Sequence, residues 1–275
     1  MKKTLADYFK EHIEFENTAS PYEAINFIRN ERNKNYFSRF FLDKAEKLIL
    51  DASEKIRLFV RHKISTNVFF YNSDNINKKI LICFCGNANR LMMPIAAFLQ
   101  YIDEKIYDVL VLMDPSKLCY HSGIPDFGFT LKESVNKLSD IISEKKYEQV
   151  YTFGTSGGGC ASLYIGAYLN AKKAISVGGR HPLDYLDYKN TKLLSVKNLS
   201  GSEFDKLLSM RQNKYQTNIQ VIYSDRHEKD KKSAINFKKH LKNVNLLSID
   251  GESHNVFHEL RKKQKLKLLM DDLFN

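Results

Sequence analysis

The sequence predicts an α/β protein: a mostly parallel sheet flanked by helices, with a helical N-terminal extension and a short helical lid insertion. Three observations carry this reading. From residue 57 onward, short apolar runs alternate with stretches of helical periodicity, the pattern of a parallel sheet covered on both faces. One run, "ILICFC" from Ile80, is apolar throughout, as a strand buried on both sides must be. Third, "YTFGTSGGGCASLYIGAYL" passes from an apolar strand to a helix through a serine and four glycines, Gly154 and Gly157 to Gly159.

Taken in order, residues 1–56 read as a helical extension, with apolar positions at helical spacing in "SPYEAINFIRN" and "YFSRFFLDKAEKLILDA". Ser20 followed by Pro21 marks a helix start. Residues 57–275 form the α/β unit. "IRLFVRH" and "NVFFYN" are expected to pair as a hairpin, and "ILICFC", "YDVLVLMD", "QVYTFG", "KKAISVGG", "IQVIYS" and "NVNLLSID" are the further strands. "TLKESVNKLSDIISEK", "GCASLYIGAYL" and "KKSAINFKKHL" are the intervening helices, and the chain ends helically. At about 181–216 the alternation breaks into polar, helix-prone sequence ("HPLDYLDYKN", "GSEFDKLLSMRQNK"). An insertion there sits above the carboxyl edge of the sheet, where α/β folds place their sites.

Composition narrows the function classes. No apolar run is long enough to span a bilayer, and the start turns charged after its basic pair, with no secretory h-region. A soluble, cytoplasmic protein is expected. Cys83, Cys85, Cys119 and Cys160 lack companion ligands at metal-site spacings and read as buried, reduced thiols, with no metal. The formal net charge of +11 suits an anionic partner. The lysines are nevertheless spread along the chain, and "RKKQKLKLL" from Arg261 reads as the solvated face of a C-terminal helix. No nucleic-acid motif accompanies them, so no specific nucleic-acid binding is expected.

"G-T-S-G-G", residues 154–158, fits G-x-S-x-G between a predicted strand and a predicted helix. A serine on so sharp a turn needs small residues two positions either side, and the following helix aims its amides at charge developing on a substrate oxygen. A plain strand–turn–helix junction has the same glycines. A phosphate-cradling loop would need G-x-x-x-x-G-K-[ST], which is absent. Partners in the order serine, acid, histidine separate these readings. "NVNLLSIDGESHNVFHEL" runs strand, loop, His254, helix, so His254 can reach over the sheet edge as general base to Ser156. His258 lies one helical turn on and reads as structural. The other six histidines lack His254's placement, although His121 and His181 fall in loops bordering the edge and read as surface or lid residues.

The acid comes from "DRHEKDKKSA", which offers Asp225, Glu228 and Asp230. Asp225 directly follows the strand, whereas Asp230 stands at a helix start and doubles as an N-cap candidate. The oxyanion hole is assigned to the main-chain N–H groups of Gly157 and of Asn87, in "FCGNANR" after the third strand, where Gly86 gives the backbone room to turn.

With these parts in order, residues 57–275 resemble the α/β-hydrolase superfamily. Within it, "TFGTSGGGCASLYIGAYLNAKKAISVGG", "HPLDYLDY" and "SIDGESHNVFHEL" are most similar to a divergent branch. That branch comprises serine-dependent sugar O-acetyltransferases and esterases of bacterial capsule and surface-polysaccharide synthesis. The resemblance implies an acid set right before a helix, which Asp230 matches better than Asp225. It implies acyl transfer through an acyl-serine, on a carbohydrate-linked ester, with no bound cofactor and with acetyl-CoA as donor if the protein is a transferase. Two departures stand out: the first 56 residues have no counterpart, and Ser224 occupies a position where many relatives carry glycine. A general carboxylesterase or thioesterase, and a non-catalytic hydrolase-like assembly module, are the alternatives. The N-terminal helices offer a cap over the site, an oligomer contact or a docking arm.

Overall fold

The computed structural model describes residues 5–32, 39–53, 55–73, 79–185, 202–211 and 214–274. Three helices come first: α1 (Leu5–Glu16), α2 (Pro21–Arg32) and α3 (Arg39–Leu50). Strands β1 (Val60–Ser65), β2 (Val68–Asn72) and β3 (Lys79–Phe84) lead to α4 (Ile95–Leu99) and β4 (Tyr107–Leu112). The alternation continues with α5 (Leu131–Glu144), β5 (Gln149–Thr155), α6 (Gly157–Tyr168) and β6 (Lys173–Val177). After a 3₁₀ turn at Pro182–Tyr185 come α7 (Ser202–Met210), β7 (Asn218–Ser224), α8 (Glu228–His240) and β8 (Val244–Ile249), then α9 (Val256–Lys262) and α10 (Leu266–Phe274).

The sheet order is β1-β2-β4-β3-β5-β6-β7-β8, eight strands in all. β1 and β2 are antiparallel to each other, and β2 is antiparallel to β4, while the rest run parallel. The expected hairpin is present, but β1 begins at Val60 rather than in "IRLF". Val60 already pairs with Asn72, the last residue of β2, so the preceding segment has no strand to face.

Alternation along the strands explains why the central ones read as apolar throughout. In β3, Leu81 and Cys83 join a core with α2, α3, α4 and the C-terminal helices. Ile80, Ile82 and Phe84 enter the opposite core, with α5, α6, α7 and α8. Each wholly buried large side chain contributes roughly 1.5–3 kcal/mol of transfer free energy, so covering both faces is what makes such strands pay. Helix α6 is buried along nearly its whole length, consistent with a sequence apolar on every side.

The N-terminal helices are docked on the sheet. Ala24, Ile25 and Ile28 of α2 and Leu42 and Ile49 of α3 are buried in the first core. Ser20 and Glu23 cap α2 reciprocally, Ser20 N donating to Glu23 Oε2 (2.8 Å) and Glu23 N to Ser20 Oγ (3.3 Å). The Tyr71 hydroxyl donates to Thr18 O (2.6 Å), tying the link before α2 to β2.

One expectation needs correction here. The C-terminal segment is two helices, because Gln264 takes a left-handed φ of +55° and ends α9. The "RKKQKLKLL" cluster therefore straddles a break, and Leu266, Leu269 and Met270 are buried. Of the lid insertion, only the turn at its start, α7 and the adjoining residues are described; 186–201, 212 and 213 lie outside the described residues. No described helix is long and apolar enough to cross a membrane.

Candidate active site

The carboxyl ends of β5, β7 and β8 meet at one edge. β5 ends at Thr155, α6 begins at Gly157, and Ser156 lies between them with φ +50° and ψ −117°. A side chain held there costs on the order of 1–3 kcal/mol and persists only where its surroundings impose it. Ser156 N donates to Val177 O (3.0 Å), and Ser156 O accepts from Gly159 N (3.0 Å). Thr155 Oγ1 donates to Arg90 O (3.2 Å). A methyl group at Gly154 would collide with the Gly158 carbonyl, and one at Gly158 would collide with the carbonyls of Phe84 and Cys85. These are the two small-residue positions that a serine on this turn requires.

His254 sits in the loop between β8 and α9, with Nε2 2.8 Å from Ser156 Oγ. Its Nδ1 lies 2.8 Å from Asp230 Oδ2 and 3.0 Å from Oδ1. The Asp230 side chain is fully buried and that of His254 is 34% exposed. Asp230 is in the first turn of α8, whose N-cap residue is His227. The N-cap reading of Asp230 is therefore replaced by a direct bond to the imidazole. Asp225 faces elsewhere: its Oδ1 accepts from Gly251 N (3.1 Å), closing the turn after β8. Glu228 is exposed on α8.

The loop after β3 is a tight turn, with Gly86 N donating to Arg90 O and Asn89 N to Gly86 O, both at 2.9 Å. The Tyr120 hydroxyl lies within hydrogen-bond reach of Cys85 O (3.0 Å) and Leu112 O (2.7 Å), bracing the start of this loop. Asn87 lies directly against Gly157, close enough for its side-chain oxygen to meet any Cβ added there. Among the described residues, no backbone acceptor takes the N–H of Asn87 or of Gly157.

Elsewhere the histidines correct the sequence reading. His121 and His181 are buried, not surface residues, at 7% and 2% exposure. His121 packs edge-on against Phe204 (4.6 Å) and His181 against Phe237 (4.9 Å). Burial pushes their pKa values down to about 4 and about 3. His258 is exposed on α9, where its backbone N–H caps onto Asn255 Oδ1 (3.0 Å). The four cysteines are free and buried.

Several residues around the relay went unnoticed as site residues. His227 Nδ1 approaches Asp230 Oδ1 to 3.1 Å, and its ring centroid is 5.4 Å from that of His254. His227, Asp230 and His254 place three donor atoms within 4.8 Å of one another, a spacing a metal ion accepts. A cation there would compete with the His254–Asp230 bond. Ser224, noted only as a departure, donates from Oγ to Ser253 O (2.6 Å) and anchors the residue before His254. Asn255 Nδ2 donates to Met92 O (3.1 Å) on the other side. The identity of Ser224 was the one available signal; the others depend on distant segments meeting.

The strand order, the strained serine after β5 and the placement of Asp230 and His254 after β7 and β8 define the α/β-hydrolase fold. Comparison with solved structures shows a shared fold. The capsule O-acetyltransferase of Neisseria meningitidis serogroup A, in complex with caged gadolinium, matches with a TM-score of 0.52 at 16% identity. The match covers 77% of this chain and 93% of that one. A second structure of that enzyme gives 0.50 at 17% identity over 78% and 96%. A 2,6-dihydroxy-pseudo-oxynicotine hydrolase gives 0.51 at 12% identity, over 92% of this chain and 79% of that one. No protein-family model and no curated sequence matches the chain.

Proposed function

We propose that the protein is a serine-dependent acyl-transfer enzyme, acting as an O-acetyltransferase or esterase on a carbohydrate-linked ester. The observation that carries this is the continuous relay from Ser156 Oγ through His254 to Asp230, each link at 2.8 Å. Ser156 Oγ attacks an ester or thioester carbonyl while its proton passes to His254 Nε2. Asp230 holds the imidazole and stabilises the imidazolium. The tetrahedral oxyanion is met by the N–H groups of Gly157 and Asn87. Collapse breaks the bond to the leaving group, which takes the proton from His254 and leaves an acyl-serine. Water or a sugar hydroxyl then attacks, giving its proton to His254, and Ser156 regains it as the acyl group leaves.

Support for the carbohydrate ester comes from the sequence resemblance around Ser156 and His254, and from the fold shared with a capsule O-acetyltransferase. The roles of hydrolase and transferase separate by intact mass after incubation with acetyl-CoA. A transferase gains one acetyl group that the Ser156→Ala variant does not. A protein that hydrolyses p-nitrophenyl acetate through Ser156 but never takes up acetyl from acetyl-CoA is an esterase instead.

A further inference from the structure

A cleft of about 1020 Å³ opens beside the oxyanion loop, at the upper limit of the size range of small-molecule sites. Helix α1 supplies Lys10, the turn after it Asn17, the β1–β2 hairpin Arg61 and Lys63, the oxyanion loop Asn87, and the loop after β4 Lys117. Its described lining holds four cations and no carboxylate. Arg61 is already engaged, pairing with Glu23 (3.2 Å) and donating to Thr18 Oγ1 (3.0 Å). Lys10, Lys63 and Lys117 have no ion-pair partner among the described residues. Ammonium groups gathered round one cavity repel each other, and an anion in their midst relieves that repulsion.

The cleft adjoins the serine turn through Asn87. Asn87 lines it and also abuts Gly157, the residue after Ser156. Lys117 is two residues from Cys119, whose sulfur lies beside Gly157 too. The C-terminal end of α1 is tied to the oxyanion loop, because Arg90 Nε donates to Asn17 Oδ1 (2.8 Å) in the turn that follows the helix.

We propose that this cleft binds the phosphate-bearing part of a small substrate whose acyl carbonyl lies at Ser156, with α1 as its outer wall. The inference rests on Ser156 being the nucleophile. It gives the N-terminal extension a role in substrate binding. The phosphate belongs either to a nucleotide-type acyl donor or to a phosphorylated sugar.

Equilibrium binding to the full-length Ser156→Ala protein tests the cleft without turnover. Two pairs of probes distinguish the sources: coenzyme A against pantetheine, and N-acetylglucosamine 1-phosphate against N-acetylglucosamine. In one pair the phosphate-bearing member is expected to bind about tenfold tighter or more, an advantage that shrinks with added salt. Lys63→Glu/Lys117→Glu abolishes the advantage, Lys10→Gln reduces it about threefold, and Lys132→Gln, exposed on α5, leaves it intact. Equal affinities within both pairs, or an advantage that survives Lys63→Glu/Lys117→Glu, overturns the proposal. Failure of the nucleophile reading shows separately, as absence of fluorophosphonate labelling at Ser156 in the wild-type protein.

Discussion

Asp230 Oδ2 and His254 Nδ1 stand 2.8 Å apart, joining a carboxylate with no exposed side-chain surface to an imidazole one-third open to solvent. That asymmetry suits an acid that orients and a base that must exchange protons. Replacing Asp230 with Asn keeps the shape but removes the charge that stabilises the imidazolium. A fall in the acylation rate of about 10²–10⁴-fold is expected for Asp230→Asn. Asp225→Asn should leave that rate within about threefold of wild type, since the Asp225 carboxylate accepts from Gly251 N rather than from His254. Stopped-flow acylation with p-nitrophenyl acetate compares the two; equal losses would mean that Asp230 has no special place.

The strained serine depends on its glycine neighbours. Gly158→Ala drives a methyl group into the backbone of β3. It should cost about 1–3 kcal/mol of stability or more, as overpacking does, read as a lowered Tm. It should also slow labelling of Ser156 in protein that remains folded. A variant as stable and as reactive as wild type would show that the turn tolerates relaxation.

Ser224→Ala removes the hydroxyl that anchors Ser253 O. The expected loss is about 1 kcal/mol in stability, together with a fall in kcat at nearly constant KM, because substrate does not touch Ser224. An effect on KM alone would assign Ser224 a different role.

The buried histidines make stability pH-dependent. Burial holds His121 near 4 and His181 near 3, against about 6.5 in an unfolded chain; Asp114 and Glu203 raise His121 slightly, and His240 depresses His181 further. Across that window the unfolded state binds more protons, so stability is complete above pH 6.5 and drains away as pH falls towards 3. The Tm should drop steadily between pH 7 and pH 4.5, and less steeply in His181→Phe. Identical slopes would remove His181 from the cause.

Much of the fold and the centre of the site are legible because their demands are local. Gly154 is dictated by a contact within one turn, with the Gly158 carbonyl, and "ILICFC" by the pleat that sends alternate residues to opposite cores. Helix α4 went unassigned because five apolar residues after Pro94 have no readable period. His227, Ser224 and the burial of His181 arise where α8, the histidine loop and β7 converge, which no single stretch of sequence encodes. Asp230 lay between: its position before a helix is local, but the choice against Asp225 needs the reach to His254, which the structure supplies.

The central claim is that Ser156 is a nucleophile driven by His254. Wild-type protein, His254→Ala and Ser156→Ala should be incubated with a fluorophosphonate and the adduct located by peptide mass mapping. One adduct is expected, on Ser156, formed at least about 10³-fold more slowly in His254→Ala and absent from Ser156→Ala. Folded wild-type protein that carries no adduct, or carries it on another residue, would contradict it.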